Sequence, residues 1–276
     1  MYELGAAFGR YALPSDDLLL LNPTITVVGG TVDPAYPISN WQANKPAKPV
    51  KFTTPNAQLL FDFGSAVNVA AFGLIYHLLD EGLPVDISWG STSAASTGTQ
   101  ALTIPAVLEN GDTVSPWTPI PNAPTFQYWL LDIGGGSPGT NSQNIKIGRP
   151  LFLGALRDLE NDVRWGVVQN GAYQHIVHPT LLQVETVYEL GSERQSFVGE
   201  FALRHQLPNP DAQTLISLFR STRMNSRQWV LVPDEDVNDI WMVRFDDPLW
   251  SRTFETLNHN ILPFRCTQVS RGLDWP

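Results

Sequence analysis

Short runs of alternating or wholly apolar residues, each closed by glycine, proline or asparagine, fill the first half of the chain. ITVVG, LLFDFG, VAAFGLIYHL, VDISWG and YWLLDIG are such runs. Turn-forming residues separate them: GG at 29–30, Pro34 and Pro37, PNA at 55–57, Gly64-Ser65, Gly82, ENGD from 109 and GGGSPG from 134. A strand sends successive side chains to opposite faces, so short alternating runs with this punctuation predict a β-sandwich or barrel. The stretch from Leu59 to Leu78 is predicted to form two strands that pivot at Gly64, where a glycine permits the turn. GSTSAASTGTQ from residue 90 reads as a low-complexity loop between elements.

Charge density steps up where KIGRPLFLG gives way to ALRDLENDVRWG, and a domain boundary is placed there, between residues 1–155 and 156–276. The second half offers strands at QVETVYEL and SFVGEFALRH, and then the one strongly periodic helix, near 210–222. In it Asn209 is an N-cap, Pro210 suits the first helical position, and Asp211 complements the dipole. Ala212, Leu215, Ile216 and Phe219 fall on one face. RQWVLVPD, DIWMVRFDD and ILPFRCTQVS follow as further β-like runs. The fold class is therefore all-β, a sandwich followed by a second β-sandwich domain with one flanking helix.

Composition sharpens this picture. Hydrophobic residues make up 43% of the 276, with nine Trp and thirteen Phe, enough for two packed cores. The formal net charge of −10 divides evenly, about −5 in each half, so neither half is a basic nucleic-acid surface. All four lysines (Lys45, Lys48, Lys51 and Lys146) lie in the first half, and the second half uses only arginine. Arginine sheds water more readily and is enriched at protein interfaces, which points to assembly by the second half. The single Cys266 rules out a disulfide framework and reads as a small buried hydrophobe. The N-terminal MYELGAAFGRYALPSDDLLLL lacks a basic segment before its apolar run, so no signal peptide is expected. No apolar stretch reaches the roughly 18 residues of a membrane span, and a soluble protein folding in a reducing cytoplasm is expected.

Residues 23–154 resemble the discoidin, or coagulation-factor C-type, jelly-roll sandwich in the form carried by phage tail proteins. The resemblance rests on ITVVGGTVDPAYPISNW, on LLFDFGSAVNVAAFGLIYHLL with its Asp-x-Gly closure and His77, on VDISWGS, and on the late pair YWLLDIGGG and NIKIGRPLFLG. It implies a carbohydrate-binding-type module, with Tyr36 and Trp41 in the loop corresponding to the family's ligand-facing spikes. For Trp41, beside Asn40, core packing is the even alternative. Residues 156–276 more loosely resemble the ring-forming domain of tail-tube and distal-tail proteins, through the order strand, capped helix, strand, acidic turn, strand. Together these resemblances imply a structural protein of a tailed-bacteriophage tail tip or baseplate. It would form or decorate a ring, commonly hexameric, among other tail proteins in the virion tail, with a host surface glycan as a further candidate partner. The alternative is a receptor-binding adhesin or carbohydrate-binding module without a ring role. Arg220, Arg223, Arg227, Trp229 and Trp250 are the candidate assembly interface.

Catalytic chemistry finds little to stand on. Asp234-Glu235-Asp236 and Asp246-Asp247-Pro248 read as solvated turns. His175 and His178 lack a third ligand, Asp33 and Asp80-Glu81 fall short of the ligand count calcium needs, and His77 reads as a hydrogen-bonded structural residue. Trp89, Trp117 and Trp129 lie in strand-like runs and read as core, whereas core and interface are equally open for Trp229, Trp241 and Trp250. No nucleophile elbow or phosphate loop is present, so a non-enzymatic protein without metal or cofactor is expected.

Overall fold

The computed structural model describes residues 10–42, 48–106, 115–135 and 144–158, then 163–164, 170–172, 175–179, 185–189, 194–204, 217–218, 220–222, 228–232, 240–245, 253–256 and 259–268. The chain divides into two compact units. One is Gly9–Asp158 with Val230–Trp241; the other is Met1–Phe8, Leu159–Trp229 and Met242–Pro276.

The first unit is all-β. Its strands are β1 (Arg10–Ala12), β2 (Thr24–Gly29), β3 (Val50–Lys51), β4 (Ala57–Asn68), β5 (Ala71–Leu78), β6 (Val85–Gly90), β7 (Gly98–Leu102), β8 (Trp117–Pro119), β9 (Thr125–Ile133), β10 (Lys146–Leu153) and β11 (Arg157–Asp158). A five-stranded sheet in the order β2-β4-β9-β6-β7 faces a four-stranded sheet in the order β3-β10-β5-β8. Every pairing in both is antiparallel. The alternation read in the sequence sets which residues face inward. Ala57, Leu59 and Phe61 of β4, Val85 and Ile87 of β6, and Trp129, Leu131 and Ile133 of β9 all enter one core with Phe72, Leu74 and Phe152 of the opposite sheet.

Phe152 is the hub of that core. Its ring lies 4.7 Å from Phe61, 5.1 Å from Phe72, 5.6 Å from Phe63 and 6.2 Å from Trp129, all tilted or edge-on. These are the geometries that aromatic quadrupoles favour. Ile147 and Phe152 both enter the core although they are an odd number of residues apart, so β10 switches faces between them. The switch falls where the β10–β5 register skips Gly148 and Tyr76, and Tyr76 takes a left-handed φ of 49°.

All eight residues of β10 are buried, which means its outward face is covered too. The two 3-10 turns Pro14–Asp16 and Leu18–Leu21 lie against it: Asp17 bridges to Leu153, and the Gly154 amide donates to the Asp16 carbonyl at 2.8 Å. β1 pairs antiparallel with β11 on one side and with Val230–Val232 on the other. Ile240 reaches the four-stranded sheet, where its Cγ2 would lie 3.3 Å from a Cβ at Gly73. Outward-facing Arg149 is 1% exposed and forms an ion pair with Asp17, itself 6% exposed. Asp17 also accepts from the Leu19 amide at 3.2 Å, while the Arg149 Nε and Nη2 have no hydrogen-bond partner among the described residues.

Two local expectations are corrected. The chain reverses between β4 and β5 at Val69-Ala70, not at Gly64, which lies within β4 at a register shift between Asp62 and Val67. A Cβ there would meet nothing within 4 Å, so the glycine answers to its φ of 72°. The end of the GSTSAASTGTQ segment is strand β7, paired with β6 from Trp89↔Gly98 onward. A Cβ on Gly98 would stand 2.6 Å from the Trp89 indole, so the glycine makes room for that ring.

In the second unit, Ser196–Arg204 of the strand Arg194–Arg204 pairs antiparallel with His259–Thr267, and His175–Pro179 with Glu185–Glu189. Cys266 stands opposite Phe197. Of the helix expected near 210–222, Ser217, Leu218, Arg220 and Ser221 are described as helical. The Thr222 amide closes a turn onto the Leu218 carbonyl at 3.0 Å.

Removing one partner of a buried ion pair strands the other charge. Arg149→Met is expected to lower the unfolding free energy by about 3–5 kcal/mol. Adding Asp17→Asn, which keeps an acceptor for the Leu19 amide, should recover part of it. Urea unfolding of the two variants checks both.

Candidate functional site

One end of the sandwich carries the turns that follow β2, precede β4 and β6, and follow β9. At this end residues 31–36 run alongside β3 and its continuation. The Asp33 amide donates to the Lys51 carbonyl at 2.8 Å, the Thr53 amide to the Thr31 carbonyl at 2.8 Å, and the Lys51 amide to the Tyr36 carbonyl at 3.4 Å. Gly30, at φ 85°, starts this segment where a Cβ would stand 2.6 Å from the Asn56 carbonyl oxygen. Asp33 then shapes the turn: its carboxylate accepts from the Ala35 amide at 3.0 Å and its carbonyl from the Tyr36 amide at 2.9 Å.

The outcome is a half-buried Tyr36 ring held over two ammonium groups. The Nζ atoms of Lys51 and Lys146 each lie 5.6 Å from its centroid, within cation–π range. Lys51 and Lys146 are direct partners across β3 and β10. Like charges placed opposite one another repel. Asp33 meets Lys51 at 3.6 Å, and the ring's negative face offsets part of the cost. Lys146 is 8% exposed and acts from below; the Lys51 side chain is 31% exposed, and Lys48 is exposed. Lys45 lies outside the described residues.

Trp41, the other candidate for the ligand-facing loop, is turned inward. It sits on the short helix α1 (Ser39–Gln42), is 0% exposed, stacks 6.3 Å from Phe61 and donates its indole N–H to the Ile147 carbonyl at 3.1 Å. That placement leaves no face of the ring for a ligand. Its neighbour Asn40 fastens the loop by donating to the Pro49 carbonyl at 2.9 Å. His77 is buried at 1% exposed, and its Nδ1 accepts from the Leu79 amide at 3.2 Å. Trp129 is in the core, Trp89 packs against it at 5.4 Å, and Trp117 is buried beneath the Arg10 guanidinium at 5.9 Å.

The assembly candidates separate. Arg220 is exposed. Trp229 is 1% exposed and stacks on Phe245 at 5.0 Å, so it belongs to the packing of its own unit. Arg223, Arg227 and Trp250 lie outside the described residues, as do Asp234–Asp236 and Asp246–Pro248. Trp241 is buried, and His175 and His178 stand on one strand of a hairpin. Among the described residues no three of His, Cys, Asp or Glu gather as a metal ion needs, and no helix is long and apolar enough to cross a membrane.

A second polar cluster went unseen in the sequence. On the outward face of the five-stranded sheet, Asp132 of β9 stands directly opposite Asp86 of β6 and opposite Gln58 of β4. The Gln58 amide donates to one Asp132 oxygen at 2.9 Å; the other is buried without a partner among the described residues. Burial, and then the Asp132 charge, raise the Asp86 pKa above its ordinary 3.8.

No family model matches the chain, and no curated protein does. Solved structures do resemble it over about half its length. A chitosan-binding module of a chitosanase/glucanase from Paenibacillus sp. IK-5 is 15% identical, covering 50% of this chain and 98% of its own, with a TM-score of 0.38. The module CpGH89CBM32-6 produced by Clostridium perfringens is 12% identical, covering 49% and 97%, with a TM-score of 0.34. A fucolectin from striped bass (Morone saxatilis) serum is 12% identical, covering 50% and 48%, with a TM-score of 0.35.

Because Asp86 holds its proton more tightly in the fold than in the unfolded chain, the stability tied to that proton is present at low pH. It is lost as pH rises through the raised value. Asp86→Asn is therefore expected to raise the melting temperature at neutral pH by about 1–3 °C and to make no difference near pH 3. Calorimetry across that range checks it.

Proposed function

We propose that this chain is a non-catalytic saccharide-binding protein whose sandwich takes its ligand at the loop end, on Tyr36. The observation that carries the reading is the arrangement of that ring. It is partly open to solvent, fixed by backbone pairing of residues 31–36 against 51–53, and ringed by charged hydrogen-bonding groups on Asp33 and Lys51. A sugar offers the complement, an apolar C–H face for the aromatic ring and hydroxyls for the carboxylate and ammonium. A rigid platform avoids the ordering cost that a floppy loop pays on binding. Tyr36→Ala should abolish retention on immobilised glycans and leave the melting temperature of the full chain within about 2 °C, since the ring is outside the core. Unchanged retention in a glycan-array comparison of the two proteins would sink the reading.

A second reading concerns the other unit: that it assembles at a phage tail tip, with the sandwich displayed from a ring. What supports it is the element order within that unit, Arg194–Arg204, helical residues Ser217, Leu218, Arg220 and Ser221, then the strand residues Met242–Phe245, with exposed Arg220 on the helix. Negative-stain images of the purified protein should show sixfold rings; a monodisperse monomer at assembly concentrations would count against it.

A further inference from the structure

We infer that the saccharide taken at the loop end is anionic, its carboxylate or sulfate bound by Lys51 and Lys48 while its ring lies on Tyr36. The inference rests on the saccharide-binding reading above and adds the ligand's charge.

The argument starts from where this chain keeps its lysines. With a net charge of −10 and four lysines among 276 residues, a random surface would scatter them among acidic neighbours. Instead, three fall within the seven residues 45–51, and the fourth, Lys146, is the register partner of the third. Folding therefore brings Lys51 and Lys146 together beside the aromatic platform. Both ammonium groups lie 5.6 Å from the centroid of one ring, so an anion seated on Tyr36 gains an attraction that a neutral ligand lacks.

Geometry divides the labour. Lys146, buried under the ring, sets the ring's position and the local potential. Lys51 is partly exposed, and its contact with Asp33 at 3.6 Å is long for a charge-assisted hydrogen bond, so its ammonium can turn to a ligand anion while Asp33 accepts from a sugar hydroxyl. Lys48 is exposed three residues earlier, just before the Pro49 carbonyl that Asn40 fastens. The backbone of the lysine-bearing segment is thus tied to the loop that carries the ring.

The full chain is passed over polygalacturonate, dextran sulfate and neutral dextran matrices at low and high salt. Retention on at least one anionic matrix, falling as salt rises, with none on dextran, is expected; the two anionic arms tell carboxylate from sulfate. Lys51→Gln should weaken the anionic binding about tenfold or more, and Lys51→Arg should restore most of it. Tyr36→Ala should remove what remains. Binding to dextran that needs Tyr36 but ignores Lys51 would overturn the anionic assignment and leave the saccharide reading standing. Anionic binding that ignores Tyr36 would overturn both, as would retention on none of the three.

Discussion

The four-stranded sheet has to be buried twice over, and β10 is where both demands meet. Inward, it supplies Phe152, whose ring touches four others and joins the two sheets of the sandwich. Outward, it supplies Arg149, a charge with almost no access to water, held by Asp17 of the segment laid across it. Dispersion and hydrophobic burial stabilise the first side; the second is sensitive to losing either partner, because a lone buried charge is far costlier than the pair. The face switch at Gly148 and Tyr76 lets one strand serve both sides and still bring Lys146 to the loop end.

That geometry links the core to the surface chemistry. Ile147 faces the core and accepts the Trp41 indole N–H, while the residue before it lies under Tyr36. Trp41 is therefore the inner anchor of a loop whose outer member is Tyr36. The two aromatics five residues apart have opposite duties: one holds the loop by burial, the other faces outward because Asp33 turns the backbone before the helix begins.

Alternation in LLFDFG, VDISWG and YWLLDIG was enough to read strands and inward faces, since one burial rule governs every position in them. What pairing decides was hidden. Asp86 and Asp132 are 46 positions apart, and nothing local to either says that they share a row; the same holds for Lys51 and Lys146. Gly64 and Gly98 show the limit from the other side. Both are visible as glycines, yet one relieves a backbone angle within a strand and the other gives space to a tryptophan, and only three-dimensional neighbours separate the two reasons. Trp41 was even between core and ligand for a similar cause, because an aromatic beside a loop is compatible with either until its indole nitrogen has a partner.

The cover over the outward face of the small sheet has an evolutionary and practical side. Residues 23–154 contain every strand of both sheets, but the carboxylate that neutralises Arg149 comes from Asp17, and the side chain lying closest over Gly73 from beyond them is that of Ile240. The sandwich of this polypeptide is therefore not a cassette that could be cut at its first and last strand and moved to another gene. Its gene segment is interrupted, with about seventy codons of other structure between two pieces of one folded body. Any transfer by recombination would have to carry both pieces together or replace the lost cover with a new one.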